Sequence, residues 1–345
     1  MSHSQEIDME RLILIAGGHT AFQLLWAGIQ LGVFDQLATK PGLNGEQLTE
    51  NIKLEEYPGR ILLTGLTALG LIKKTEEGYF NASLTNQMLV PGKPGYAAPI
   101  LGWQAHIVYP GLMHFIESLQ QSRNVGLEKF PGEGNTLYER LVSHPHLEKI
   151  FQDAMSALSQ QANAHLIQAY DFNAFSHIVD AGGGDGTNAI TLANSFSNLN
   201  VTVFDSPSVC EIARKKINAA GLSDRVSVWP GNFLTDPFPP NIDAVLYCHI
   251  LTIWSMEHNL QLIRKTHAAL PSGGAVLIFN MMGDDDETGP LSTALGSPYF
   301  LAIATGEGML HSWKDYETVL HQAGFAHLQR FADFSLSHGL IVAKK

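Results

Sequence analysis

Ile178-Val179-Asp180-Ala181-Gly182-Gly183-Gly184-Asp185-Gly186-Thr187 is the stretch on which the fold turns. An apolar run over 177–180 reads as a strand, and apolar residues at helical spacing resume over 188–195. Between them, glycines let the backbone turn tightly and approach a ligand with no Cβ in the way. The spacing is Asp-x-Gly-x-Gly-x-Gly from Asp180 to Gly186. In a dinucleotide fingerprint, Gly-x-Gly-x-x-Gly, the third glycine would fall on Thr187. The next strand-like run, 201–205, closes in Asp205, an acid placed to accept hydrogen bonds from a ribose diol. A strand, this turn and that acid point together to a nucleoside-containing cofactor.

Further strand-like runs follow at 226–229, 244–248, 275–279 and 339–343, with helical segments at 188–195, 208–220 and 256–270. Such alternation predicts an α/β fold with a mainly parallel sheet and helices on both faces. Towards the N-terminus the pattern is helical. Leu12, Ile15, Phe22, Leu25, Trp26 and Ile29 recur at spacings of three and four, one apolar face running until Gly32. Shorter helices at 45–51 and 58–69 and a hairpin at 72–82, turning through Glu76-Glu77-Gly78, complete a winged-helix order. Pro91-Gly92-Lys93-Pro94-Gly95 marks a boundary. Three segments are expected: a helical and winged-helix region over 1–95, connecting helices over 96–170, and a cofactor-binding domain over 171–345. Trp103, His106 and Tyr109, spaced by three, read as one helical face.

Composition narrows the function. The chain has 345 residues, 45% hydrophobic and 16% charged, with a net charge of −12. That charge, and a lone Arg60 within the helix at 58–69, argue against a nucleic-acid partner. Cys210 and Cys248 form neither a disulfide framework nor a metal motif, and the histidines lack ligand spacing, so no metal is expected. The opening MSHSQEIDMER is polar, and no run reaches the ~18 apolar residues of a membrane span. The expected location is the cytoplasm.

The glycine turn, Asp205-Ser206-Pro207, Gly231-Asn232-Phe233 and Trp254 together resemble class I S-adenosylmethionine-dependent methyltransferases. More narrowly, the chain is similar to small-molecule O-methyltransferases with an N-terminal dimerisation and winged-helix region, the caffeate-type and bacterial antibiotic enzymes. The resemblance covers nearly the whole sequence. It implies a Rossmann-like domain with a seven-stranded, mainly parallel sheet, a homodimer built through the N-terminal helices, and S-adenosylmethionine as cofactor with no metal. It further implies that Gly182 and Gly184 face the methionine part of the cofactor, with Asp180 and Cys248 also among the cofactor-binding residues. Asp205 would hold the ribose, Asn232 and Phe233 the adenine, and Trp254 would pack nearby. Candidates for the acceptor pocket are Trp103, His106, Tyr109, Phe151, Met155, Tyr299 and Met309, an aromatic and Met-rich lining suited to a flat molecule.

The chain departs from that family at the catalytic base. Plant-type members carry His-Asp-Trp after the fourth strand of the domain; here Thr252-Ile253-Trp254 stands in its place. The two glutamates that orient the histidine fall near Asn280 and Leu310. A threonine hydroxyl cannot act unaided as a base at neutral pH. His249 is the alternative base, although on an extended strand an odd step puts it on the face opposite Thr252. The sulfonium is already an activated donor, so alignment of acceptor and methyl group can suffice. The run from Ala244 to Leu251 also resembles the carbon-methylating bacteriochlorophyll branch of the family, which lacks the same histidine. The reading is therefore a methyltransferase acting on carbon or a readily ionised oxygen of a small aromatic or enolic metabolite. Open beside it are a conventional O- or N-methyltransferase using His249, an enzyme that keeps the cofactor but changes the chemistry, and a winged-helix ligand-sensing regulator.

Overall fold

The computed structural model describes residues 6–332 and 334–345; the stretch 1–5, part of the polar opening read above, lies outside them. The backbone divides into two compact units, one ending at Ala105 and one from His106 to Lys345.

In the first unit, Asp8 caps helix Met9–Ala16 by accepting from the Arg11 amide at 2.7 Å. Sequence periodicity predicts one apolar face to Ile29, but the chain bends by 67° between Met9–Ala16 and Gly18–Gln30. The adjacent Gly17 and Gly18 are poor helix formers, and the Gly17 amide closes the first helix on the Ile13 carbonyl. Gly32, at φ +74, then turns the chain into Val33–Thr39, a helix that the periodicity did not separate. Helices Gly45–Asn51 and Glu56–Ala68 and the antiparallel pair β1 (Ile72–Thr75) and β2 (Gly78–Asn81) follow in the expected winged-helix order. Phe34, Leu48, Leu66 and Ile72 form the centre of its core.

The second unit carries a seven-stranded sheet: β3 (His177–Ala181), β4 (Asn200–Asp205), β5 (Val226–Pro230), β6 (Ala244–Cys248), β7 (Ala275–Met281), β8 (His327–Phe331) and β9 (His338–Lys344). Their order is β5-β4-β3-β6-β7-β9-β8, all pairings being parallel except those of β9 with β7 and β8. The crossover reverses at β3, where β4 lies on one side and β6 on the other. Ligands of open α/β sheets bind beyond the strand carboxyl ends at such a reversal.

Both faces of the sheet are covered. Ile178, Leu246, Cys248, Leu277 and Phe279 point into one apolar core, which includes Ala162 and Leu166 of the long helix Pro145–Ala169. Val179, Val245, Tyr247, Val276 and Ile278 point into the other, with helices Met256–Ala269 and Trp313–Gln322. Alternation with period two explains why consecutive strand residues are all apolar, each buried side chain contributing about 1.5–3 kcal/mol.

Between Ala98–Trp103 and Tyr109–Leu112 the chain runs through a π-helix, Gln104–Val108. The stretch from Trp103 to Tyr109, read from its spacing as one α-helical face, thus passes through a π-helical turn. Among the described residues no single helix is long and apolar enough to cross a membrane, although the bent N-terminal pair passes on length and composition.

Candidate cofactor and methyl-transfer site

The glycine turn is held from beneath by carboxylates. Gly182, Gly184 and Gly186 sit at φ +71, +57 and +82, the left-handed region that side chains disfavour. A Cβ on Gly182 would also stand 2.4 Å from Ile250 and 3.4 Å from Phe233, so the loop tip has room only for glycine. The Asp205 carboxylate, at the end of β4, accepts from the Gly184 amide at 3.0 Å and the Ser206 amide at 2.7 Å. Burial raises its pKa, and those two amides pull it back down.

Asp180 is fully buried under the loop, and neither carboxylate oxygen has a hydrogen-bond partner. Desolvation, with smaller contributions from Asp205 and Asp185, pushes its pKa up to about 7. A buried acid left without a donor is costly. It fits a cationic ligand group, and the cradle above it fits a ligand that approaches the backbone.

Phe233 stands edge-on to Phe204, ring centroids 6.4 Å apart, and forms one wall beside Gly182. The turn carrying it is fixed at both ends. Asp236 accepts from the Asn232 amide at 2.8 Å, and Lys265 donates to the Phe233 carbonyl at 2.7 Å. Asn232 is exposed, and its side-chain oxygen accepts from the Leu234 amide at 3.0 Å. That oxygen keeps a second lone pair for an adenine amino group.

Beyond β6 the chain turns sharply. His249 adopts φ +60, so the extended geometry behind the odd-step argument does not apply here. Thr252 is buried, and its hydroxyl donates to the His249 carbonyl at 3.2 Å. The loop before His311 closes over this turn. Gly308 abuts the Thr252 and Ile253 carbonyls, and His311 Nε2 donates to the Trp254 carbonyl at 3.2 Å. The Trp254 ring packs edge-on to His258. Asn280 and Leu310, where the family's glutamates would stand, are both buried, with Asn280 against the Tyr316 hydroxyl. A carboxylate-oriented histidine base is absent from these positions.

His249 instead points towards β7 and β9. Its Nε2 lies 3.0 Å from Nε2 of His338, a residue the sequence reading missed. Nδ1 of His338 lies 3.0 Å from the Ser335 carbonyl, which can only accept, so that nitrogen carries the hydrogen. His338 Nε2 is then a bare acceptor, His249 Nε2 the donor, and His249 Nδ1 a lone pair facing Cys248 Sγ at 3.4 Å. Burial, then the neighbouring His338, pushes the His249 pKa down to about 3, so the ring is neutral. Cys248 is buried, and its thiol pKa is raised well above the ordinary value by desolvation.

The expected pocket residues divide by burial. Phe151 and Tyr299 are buried, Phe151 packing edge-on against Tyr138 at 5.7 Å, and Met155 is half-buried on the same helix. Tyr109 is half-buried, Met309 is exposed at the loop, and His106 is exposed beside His146. Trp103 is half-buried in the first unit.

A polar cluster that the sequence reading did not assemble lies beside the glycine turn. Lys216, from helix Pro207–Ala219, donates to Asp185 and Thr187 at 2.6 Å each and to Ser156 at 3.0 Å. Asp185 also accepts from the Thr187 amide and hydroxyl. Asp185 stood within the motif itself; its partners lie far apart in sequence, with no local signal.

Comparison with known proteins identifies the family. The family model described as an O-methyltransferase domain matches residues 114–326. An L-tyrosine C(3)-methyltransferase of Streptomyces lavendulae is 39% identical, the match covering 98% of this chain and 93% of that one. The crystal structure of the S-adenosylmethionine-dependent methyltransferase SibL, in its apo form, superposes with a TM-score of 0.85 at 39% identity, covering 98% and 99% of the two chains. Human N-acetylserotonin methyltransferase in complex with S-adenosylmethionine superposes at 0.87 with 25% identity, covering 100% and 99%. Its cofactor is S-adenosylmethionine, its acceptor is a small molecule, and the chain belongs to the O-methyltransferase family of methyltransferases.

Proposed function

We propose that the chain methylates a ring carbon of a small phenolic acceptor, with alignment rather than a strong base supplying most of the catalysis. The observation that carries this reading is the state of Thr252: buried, and donating its hydroxyl to the His249 carbonyl. A family-type O-methylation needs a base at that position, and this hydroxyl cannot serve as one. Similarity to the tyrosine C(3)-methyltransferase supports carbon as the acceptor atom.

When bound, the cofactor supplies a methyl group already activated on a sulfonium sulfur. Gly182 and Gly184 give it a close backbone approach, Asp180 offers an unpaired carboxylate to its cationic end, and Asp205 receives the ribose hydroxyls. In this reading Asn232 and Phe233 take the adenine, and Trp254 and Cys248 are further contacts of the cofactor. Phe151, Met155 and Tyr299 present apolar area to a flat acceptor. Orientation of this kind lowers the barrier by converting an encounter into an intramolecular step. As the new carbon–carbon bond forms, the carbon–sulfur bond breaks with its electrons left on sulfur. The ring proton then leaves to water, since a cationic ring is acidic enough to need no strong base.

The same proposal includes a homodimer and a cytoplasmic location. Met9, Ile13, Leu14 and Ile15 are exposed on a helix with no buried residue, an apolar strip that a second copy would cover. Both cysteines are free, as in a reducing compartment. Light scattering on the purified chain tests the dimer, and a monomer at micromolar concentration refutes it.

The deciding experiment supplies cofactor labelled with carbon-13 in the methyl group to a panel of phenols, including L-tyrosine. Products are read by fragmentation mass spectrometry and NMR. Label on a ring carbon is the expected result. Label on oxygen or nitrogen would overturn carbon methylation and favour a conventional O- or N-methyltransferase.

A further inference from the structure

Three carboxylates surround the glycine turn: Asp180 beneath it, Asp205 on the Gly184 amide, and Asp185 within it. They feel one another, since Asp205 and Asp185 both raise the Asp180 pKa. The cation bonded into this group is Lys216. It reaches Asp185 at 2.6 Å, and this carboxylate is largely shielded, at 14% exposure. The same ammonium binds Ser156, on the helix that also carries Met155 and places Gln152 towards Gly184. One lysine therefore ties the turn, the start of helix Thr187–Ser195 and the long helix Pro145–Ala169 together, and it sets the local charge.

The two forms of the cofactor differ by one charge in the reaction itself. Methyl transfer converts a sulfonium into an uncharged thioether, S-adenosylhomocysteine. Lys216 offsets one of the three carboxylate charges around the turn, and the negative charge that remains favours the cationic form over the neutral one. We propose that Lys216, through Asp185, tunes the glycine turn to discriminate between the cationic methyl donor and its neutral-sulfur product. Lys216 is a positioning residue here, acting through the loop and its field. The inference rests on the cofactor assignment and is independent of which acceptor atom is methylated.

Isothermal titration of the full-length chain with S-adenosylmethionine and, separately, S-adenosylhomocysteine at pH 8 tests it. Lys216→Met leaves the turn one unit more negative, so the ratio of donor to product affinity should rise about threefold or more. Asp185→Asn leaves it one unit more positive while keeping an acceptor for Thr187, so the same ratio should fall by a similar factor. Lys216→Arg should keep the ratio near the wild-type value. Loosening of the loop alone would weaken both ligands by one factor, leaving the ratio unchanged, and that result overturns the proposal. So does a shift in the same direction for Lys216→Met and Asp185→Asn. If Lys216→Met does not fold, Asp185→Asn decides alone: a ratio that rises or stays fixed refutes the idea.

Discussion

His338 holds His249 in one tautomer: the two Nε2 atoms are 3.0 Å apart, and the Ser335 carbonyl fixes which ring donates. The contact joins the end of β6 to the start of β9 across β7, where Phe279 stacks on His338 at 5.4 Å. Replacing His338 with Phe keeps the stacking surface but leaves the His249 Nε2 hydrogen without an acceptor. Stability should fall by about 1–3 kcal/mol, the cost of an unmet buried donor. Denaturant unfolding of the two proteins measures the difference.

The same pair fixes a pH dependence. The His249 pKa lies near 3 in the folded chain, against an ordinary value of 6.5, so the unfolded state binds the proton more readily. Its contribution to stability is fully present above pH 6.5 and is lost as pH falls towards 3. His249→Gln should therefore lose stability less steeply than the wild type over that window. Unfolding curves at pH 4, 5 and 7 check this. Equal slopes in both proteins would mean that His249 is protonated in the fold.

Asp180 predicts a pH dependence of ligand binding that also weakens on acidification. Its pKa near 7 means that much of the population carries a proton on this acid in mildly acidic solution. A cationic cofactor favours the ionised carboxylate, so binding must expel the proton. Affinity for S-adenosylmethionine should rise as pH approaches 7, by up to about tenfold per unit, and level off above it. Asp180→Asn should flatten that slope and weaken binding at pH 8. Calorimetry in two buffers of different ionisation enthalpy would register the released proton directly.

How much of this was legible in the sequence depended on range. The glycine turn and Asp205 could be read because their chemistry is local: a positive φ and a strand-ending acid leave a mark within a few residues. Strands β3, β6 and β7 were legible because both faces are buried, giving unbroken apolar runs. Strand β8 was not, since His327–Phe331 lies at the sheet edge with most of its residues exposed and carries no apolar pattern. The bend at Gly17 was hidden because Leu12 to Ile29 keep helical spacing through it. His338 beside His249 and Lys216 beside Asp185 are tertiary pairings, invisible until the sheet brings them together. That Thr252 stands where the plant-type pattern has histidine could be read; that its hydroxyl donates to a backbone carbonyl could not.

Thr252 yields the sharpest test of how the site works. Thr252→Val matches the side chain in shape and removes only the hydroxyl that bonds the His249 carbonyl. Stability should fall by about 1 kcal/mol, the usual worth of such a bond. The methylation rate at saturating cofactor should stay within about threefold of wild type, because no proton passes through this oxygen. A loss of a hundredfold or more with intact cofactor binding would put Thr252 in the chemistry. The complementary change, Asp205→Ala, should do the reverse. It removes the acceptor for the Gly184 and Ser206 amides and for the ribose, so cofactor binding should weaken by about 1–3 kcal/mol. Titration calorimetry and single-turnover rates on both variants separate binding from catalysis. If Asp205→Ala binds S-adenosylmethionine as tightly as wild type does, the cofactor does not lie along β4, and the crevice at the β3 reversal is not its site.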